Sequence, residues 1–428
     1  MQHAAFPNGY TRDDLIDWYR RNRDLTRRLF DLIQPDAYYD RPISLRNPIV
    51  FYEGHLPAFS VNTLIKLALN GNGINEDYEI LFARGIDPDS VDAVKNPTDV
   101  WPRRDQVLAY GRTADAMVED ALRYAVIEDD AVPQLRRAEA AIAILEHEQM
   151  HQETLLYMFH NLPYERKVKR APLAGVGQAP SPDRLTRDRV RIPRGVATLG
   201  ANADDIGFGW DNEFPSLRVE VDEFEIDRHS VTNGEYLEFM QAELVQAPNF
   251  WVQREGGWYW RGMFTLIPLP LDWPVWVTQE EGEAFARWRG GRVMTEGEYH
   301  RAAFGTPSGE ERLYPWGDET PDATRGNFGF ANWDPVPAGS YPAGASAWGV
   351  HDLVGNGWEW TSTIFAGFPG FTRSPAYPGY SADFFDGGHF VMKGASPATA
   401  TTFLRRSWRN WFQPHYPYPY VGFRLVRE

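Results

Sequence analysis

Residues 132–162 read VPQLRRAEAAIAILEHEQMHQETLLYMFHNL. Apolar residues recur there at three- and four-residue spacing, with strong helix formers between them, and this predicts one long helix. The same pattern appears upstream in DDLIDWYRRNRDLTRRLFDLI (13–33), HLPAFSVNTLIKLALNG (55–71) and RTADAMVEDALRYAVIE (112–128), with Pro, Gly and Asn breakers between the segments. Four such segments predict an all-α four-helix bundle over residues 1–165. The stretch that follows, RKVKRAPLAGVGQAPSPDRLTRD, is polar and aperiodic, and reads as a linker over 166–189.

From residue 190 the character inverts. Short alternating runs such as RVEVDEFEID (218–227) stand among many Gly, Pro and Trp residues, with helical patterns confined to TNGEYLEFMQAEL (232–244) and TQEEGEAFARWRG (278–290). Residues 190–428 are therefore expected to form a separate α+β domain held by aromatic packing and turn chemistry.

Composition narrows the chemistry. The chain has 43 Lys+Arg against 59 Asp+Glu, a formal charge of −16, which opposes nucleic-acid and anionic-membrane partners and favours small-molecule substrates. It has no cysteine, so disulfides, thiolate zinc sites, iron–sulfur clusters and a cysteine nucleophile are all excluded, and any metal must sit on His and carboxylates. The first residues lack a signal-peptide core, and no run of about 18 apolar residues occurs, so the expectation is a soluble, cytoplasmic protein.

Of ten histidines, His147 and His151 alone share one face of a convincing helix at i, i+4 spacing, close enough to chelate one ion. The segment is also H-E-x-x-H, which in a zinc peptidase would make Glu148 the general base. The extended peptidase pattern needs Gly and His where this chain has Thr154 and Tyr157, and His160 falls on a different face. A third ligand is better sought in another helix. His55, in NPIVFYEGHLPAF, stands where the second periodic run begins; a helix end there would complete a three-histidine site, or His55 would simply cap that helix. Three neutral nitrogens suit Fe(II), Zn or Cu alike.

GHLPAF (54–59), HEQMHQE (147–153), YPWGDE (314–319), GVHDLVGNGWEW (349–360) and RNWFQPHYPYPYVGFRLV (409–426), in this order around a polar linker, resemble the ergothioneine-pathway sulfoxide synthases and their selenoneine-synthase relatives. The resemblance implies a DinB-like four-helix bundle followed by a C-type-lectin-like domain related to the formylglycine-generating enzyme. It implies an O2-dependent non-haem Fe(II) enzyme that bonds a chalcogen to the imidazole C2 of hercynine, with His55, His147 and His151 as iron ligands. It carries substrate contacts onto Asn410 and Trp411, and onto Tyr377 in SPAYPGYSADFF. Glu148 then becomes a supporting residue, and Trp358 and Trp360 become packing. Arg84 and Arg409 are weaker candidates for a donor carboxylate, and a surface or interdomain salt bridge is the plainer expectation for each.

Two departures bear on the donor. Phe412 stands where γ-glutamylcysteine-using relatives have an Asp after R-N-W, and the FPGFTRS stretch has no clear counterpart of their catalytic tyrosine. A donor ammonium without its acidic partner would be poorly satisfied, whereas a neutral selenosugar needs none and could stack on Trp411, Phe412 or Tyr416. The expectation leans to a selenosugar donor, with cysteine or γ-glutamylcysteine as the alternative. From other classes, a zinc metallopeptidase or a ligand-binding module without iron would explain the same histidines.

Overall fold

Thr11 starts the first helix: its hydroxyl accepts from the Asp14 amide while the Asp14 carboxylate accepts from Thr11, a reciprocal cap that satisfies donors a helix start otherwise leaves bare. The computed structural model describes residues 6, 9–83, 101–173 and 188–428. They fall into two compact units, the first drawing on the chain up to residue 170 together with 206–208 and 374–378, the second on 171–205, 209–373 and 379–428.

The first unit contains α1 (Arg12–Phe30), α2 (Ile49–Ser60), a short α3 (Glu76–Leu81), α4 (Arg104–Tyr124) and α5 (Glu139–His160). Helix α1 packs on α4 and α5, and α2 packs on the same two, which closes a four-helix bundle. Its core holds Leu15, Leu64, Val118, Leu122, Ile142 and Leu145 fully buried, each worth about 1.5–3 kcal/mol over exposure. The second helix begins at Ile49, behind Pro48, so His55 lies in mid-helix and is neither at a helix end nor a cap. Every residue of α2 is buried, and a helix enclosed on all sides shows no polar stripe to mark its start. Beyond Ser60 it widens into π turns over Val61–Ala68, and the Leu69 amide bonds back to the Leu64 carbonyl. Helix α4 likewise starts earlier than its periodicity suggests, at Arg104, and stops at Tyr124. Arg166 and Lys167, in the stretch read as linker, pair with this unit: Arg166 with Asp40, and Lys167 in a bridge to Ile33. Residues 174–187 of that stretch lie outside the described residues, as does Arg84.

The second unit mixes strands and helices. Its strands are β1 (Arg189–Ile192), β2 (Gly195–Leu199), β3 (Leu217–Val221), β4 (Phe224–Asp227), β5 (Trp251–Arg254), β6 (Gly257–Arg261), β7 (Leu266–Pro268), β8 (Arg292–Val293), β9 (Gly357–Ile364), β10 (Phe390–Ala395), β11 (Asn410–Phe412), β12 (Val421–Gly422) and β13 (Leu425–Arg427). They assemble as β1-β4-β13-β8, β11-β10-β9-β12, β2-β3 and β5-β6-β7. Helices α6 (Asn233–Glu243), α7 (Gln279–Trp288) and α8 (Glu296–Ala303) each start on a Thr–Glu reciprocal cap. Trp358 and Trp360, on β9, are buried as packing residues. No helix among the described residues is long and apolar enough to cross a membrane.

Two enclosed arginines in this unit, Arg409 and Arg424, are each matched by a buried carboxylate. Arg424, fully enclosed, donates to Glu359 at 2.9 Å, to Ser230 at 3.1 Å and to the carbonyls of Arg228 and His351 at 3.0 and 2.7 Å. Replacing it would strand the Glu359 carboxylate in a dry interior, so Arg424→Leu is expected to lower the unfolding free energy by about 3–5 kcal/mol. Urea denaturation measures this, and a loss below about 1 kcal/mol would show that the network contributes little to stability.

Candidate metal centre

Residues 51, 55 and 59 recur at i, i+4 on α2, and 147 and 151 do so on α5, so each helix presents one stripe to the other. The stripes meet in three imidazoles. His55 Nε2 lies 3.3 Å from His147 Nε2 and 3.2 Å from His151 Nε2. Nitrogens about 2.0–2.1 Å from a shared ion stand roughly 3–3.4 Å apart, so this spacing fits common coordination. His55 and His147 are buried and His151 is partly so.

Hydrogen bonding settles the orientation of one ring. His55 Nδ1 is 2.7 Å from the Phe82 carbonyl; a carbonyl only accepts, so Nδ1 carries the proton and Nε2 keeps its lone pair toward its neighbours. The Nδ1 atoms of His147 and His151 are buried without a hydrogen-bond partner among the described residues. Burial pushes the His55 pKa down to about 4. His147 and His151 are also held well below the ordinary histidine value, first by burial and then by the repulsion that protonated neighbouring rings would exert on each other, with Arg46 adding to it at His151. Three neutral imidazoles with converging nitrogens form a ligand set for a divalent transition metal, with room in the coordination sphere for further ligands.

Aromatic rings wall the site. Phe59 stacks on His147 at 3.5 Å between centroids and 8° between planes, and Phe51 stacks on His55 at 5.0 Å and 19°. Tyr52 stands 5.7 Å from His151. Tyr377 belongs to this unit through the 374–378 segment, with its ring 5.1 Å from Phe59 and 6.1 Å from His147. Its segment is tied down by Ser374, whose hydroxyl donates to Glu139 at 2.6 Å and accepts from the Tyr377 amide. The sequence reading missed Phe51, Phe59 and Phe82. The i, i+4 spacing of the first two around His55 was the available signal, whereas a carbonyl contribution from Phe82 leaves none.

Glu148 is turned away from this cluster. It is buried, and its Oε1 accepts from Arg23 at 2.9 Å and from the Thr26 hydroxyl at 2.6 Å. Burial raises its pKa against the pull of Arg23. His160 is buried off the ligand set, its carbonyl accepting from Lys167 Nζ at 3.1 Å.

Asn410, Trp411 and Phe412 lie together in the second unit as strand β11, paired with β10 so that Trp411 faces Val391. Trp411 stacks on Phe365 at 4.1 Å and 7°, with Tyr380 at 5.3 Å and Phe384 at 5.6 Å. Phe412 lies parallel to Tyr416 at 5.2 Å. The Asn410 side-chain oxygen accepts from the Trp411 amide at 2.9 Å. Arg409 forms neither a surface nor an interdomain bridge: it is buried within the second unit, paired with both carboxylate oxygens of Glu296 at 3.0 and 3.1 Å. Its other donors are spent on the Asn212 and Ala366 carbonyls.

Comparison with known proteins adds two family matches: the DinB superfamily over residues 19–155, and the sulfatase-modifying factor enzyme 1-like domain over 177–428. The chain is 33% identical to the Hercynine oxygenase of Mycolicibacterium thermoresistibile over 96% of its own length and 93% of the relative's. It is 28% identical to Ergothioneine biosynthesis protein 1 of Neurospora crassa, over 100% of the chain and 59% of the relative. With the protein of the same name from Schizosaccharomyces pombe it shares 31% identity, over 93% of the chain and 54% of the relative. The chain thus spans little more than half the length of the fungal proteins.

Glu148→Gln keeps the hydrogen-bonding shape but removes the charge facing Arg23. It is expected to cost about 1–3 kcal/mol of stability and to leave the metal stoichiometry at the wild-type value, as read by thermal unfolding and elemental analysis. Full stability with lost turnover would instead make Glu148 a catalytic base.

Proposed function

The chain belongs to the ergothioneine-pathway family that joins a DinB-superfamily domain to a sulfatase-modifying-factor-like domain, and from that premise we propose that it is an oxidoreductase forming a carbon–chalcogen bond at the imidazole C2 of hercynine. Fe(II) on His55, His147 and His151 is the proposed cofactor and O2 the oxidant. The observation that carries the reading is the convergence of three imidazole nitrogens on one point between α2 and α5. Fe(II) bound there would supply the redox chemistry through which O2 serves as oxidant while the C2–H bond gives way to a C2–chalcogen bond.

The roles of the chain's own residues follow from their chemistry. Burial keeps the three imidazoles neutral and therefore able to donate lone pairs. Phe51 and Phe59 hold two of the rings in plane and exclude water from their faces. Trp411, with Tyr380 and Phe384 around it, offers the electron-rich surround that a trimethylammonium group prefers. Asn410 supplies a carboxamide for polar contact with the substrate, and Tyr377 a phenol beside the metal ligands.

A selenosugar is the proposed donor. Phe412, stacked on Tyr416, presents an apolar face where a donor ammonium would need a carboxylate, and a neutral sugar is not penalised there. The second reading, a thiol donor such as cysteine or γ-glutamylcysteine, rests on the names of the relatives, which are ergothioneine and hercynine proteins.

A competition assay separates the two. Protein loaded anaerobically with Fe(II) receives hercynine, O2, cysteine, γ-glutamylcysteine and a selenosugar together, and mass spectrometry identifies the adducts. The selenium adduct is expected to dominate; a dominant sulfoxide would move the assignment to the thiol donors, and no hercynine adduct at all would refute the proposed function.

A further inference from the structure

We propose that Gly54 and Phe82 are positioning residues that set which nitrogen of His55 faces the other two imidazoles, an inference that rests on the triad being a metal site. An imidazole offers two nitrogens, and which one carries the proton is decided by the partner of the other. For His55 that partner is a backbone carbonyl, Phe82 O, at 2.7 Å from Nδ1. Phe82 caps the C-terminus of α3, a six-residue helix held to the segment after α2 by Asn62 and Lys66 at Glu79, and the Phe82 ring adds an anchorage of its own.

The anchorage is at Gly54. A Cβ built on Gly54 would lie 2.4–2.5 Å from the Cζ, Cε1 and Cε2 atoms of the Phe82 ring. The ring thus occupies the space a side chain at position 54 would fill. The ring is fully buried, with Phe51, Tyr78 and Trp101 packed around it at 5.8–6.2 Å between centroids. Glycine inside a helix is less favourable than alanine. Its presence directly before a ligand is explained by this contact: no Cβ at 54 lets the Phe82 ring seat, the seated ring brings the carbonyl to His55 Nδ1, and the proton held there leaves Nε2 as the donor atom.

Gly54→Ala tests the chain of contacts without touching a ligand. Gly111→Ala is the control, since Gly111 is also buried in a helix but a Cβ there would meet only Arg23 and Pro57 atoms, at 3.9 Å. Full-length protein freed of metal by chelation is titrated with Co(II), and long-range 1H–15N spectra of histidine-labelled protein report the tautomer of each ring. The His55 signal is assigned by its loss in His55→Ala. Gly54→Ala is expected to weaken Co(II) binding about 10–100-fold and to shift His55 away from the Nδ1–H form, while Gly111→Ala matches wild type in both. Wild-type affinity together with an unchanged Nδ1–H signal in Gly54→Ala overturns the inference. If that variant does not fold, Phe82→Leu, which leaves Gly54 intact, must show the same two changes for the inference to stand. A wild type that takes up no Co(II) removes the functional reading instead; the tautomer in metal-free wild type then decides, because an Nε2–H form of His55 overturns the positioning role by itself.

Discussion

A helix buried over most of its length can carry polar side chains there only where they find partners, and α5 is such a helix. From Ala140 to His160 it buries most of its length, including Glu146, His147, Glu148, Gln152 and His160. A charge or amide left alone in that setting would cost more than a single apolar contact returns. Two of these residues are matched on α1. Arg23 and Thr26 meet Glu148; Gln152 donates to the Asn22 carbonyl and to Thr26; Asn22 in turn donates to the Leu145 carbonyl. These contacts set the rotation and axial position of α5, and the faces it turns elsewhere follow.

What it turns toward α2 is the pair His147 and His151. Because Glu148 is fixed on α1, His147, one residue earlier on the helix, is directed to a different neighbour. The zinc-peptidase reading of H-E-x-x-H assumes a glutamate beside the metal, and here the glutamate serves helix packing. The motif's two histidines and its acid are thus separated in role by helical geometry. In the second unit the same rule recurs: Arg409 and Arg424 are enclosed with carboxylates and carbonyls around them, and the strand that carries Asn410, Trp411 and Phe412 is built beside that matched charge.

Much of this architecture was legible because it is periodic. Helices α1 and α4 have one wet face, and α5 carries a histidine pair at helical spacing, so pattern alone located all three. The histidine cluster was legible for the same reason, with His55 singled out where the second periodic run begins and then found 3.2–3.3 Å from the other two imidazoles. The start of α2 was not legible: with every residue buried and Pro57 inside, the stretch 49–60 has neither an amphipathic stripe nor an uninterrupted run of helix formers. Arg409 was misjudged because sequence does not distinguish an arginine on a surface from one facing Glu296 in the interior. The aromatic walls were hidden by abundance, since a chain with 25 Phe, 20 Tyr and 16 Trp gives no reason to single out Phe59 or Phe365. A backbone carbonyl such as Phe82 O is the extreme case, because every residue has one.

The three imidazoles lie far apart along the chain: His55 is 92 residues from His147 and 96 from His151. During synthesis the first of them leaves the ribosome long before the other two, at rates of about 5–20 residues per second. Through that interval the nascent chain offers an isolated imidazole, and even α5 emerging alone adds a chelating pair without its third arm. Were the three imidazoles to hold an ion, tight capture would wait for α2 and α5 to dock. At the proposed metal site, the separation of the three imidazoles along the chain would make possession of the ion a report that the bundle has closed.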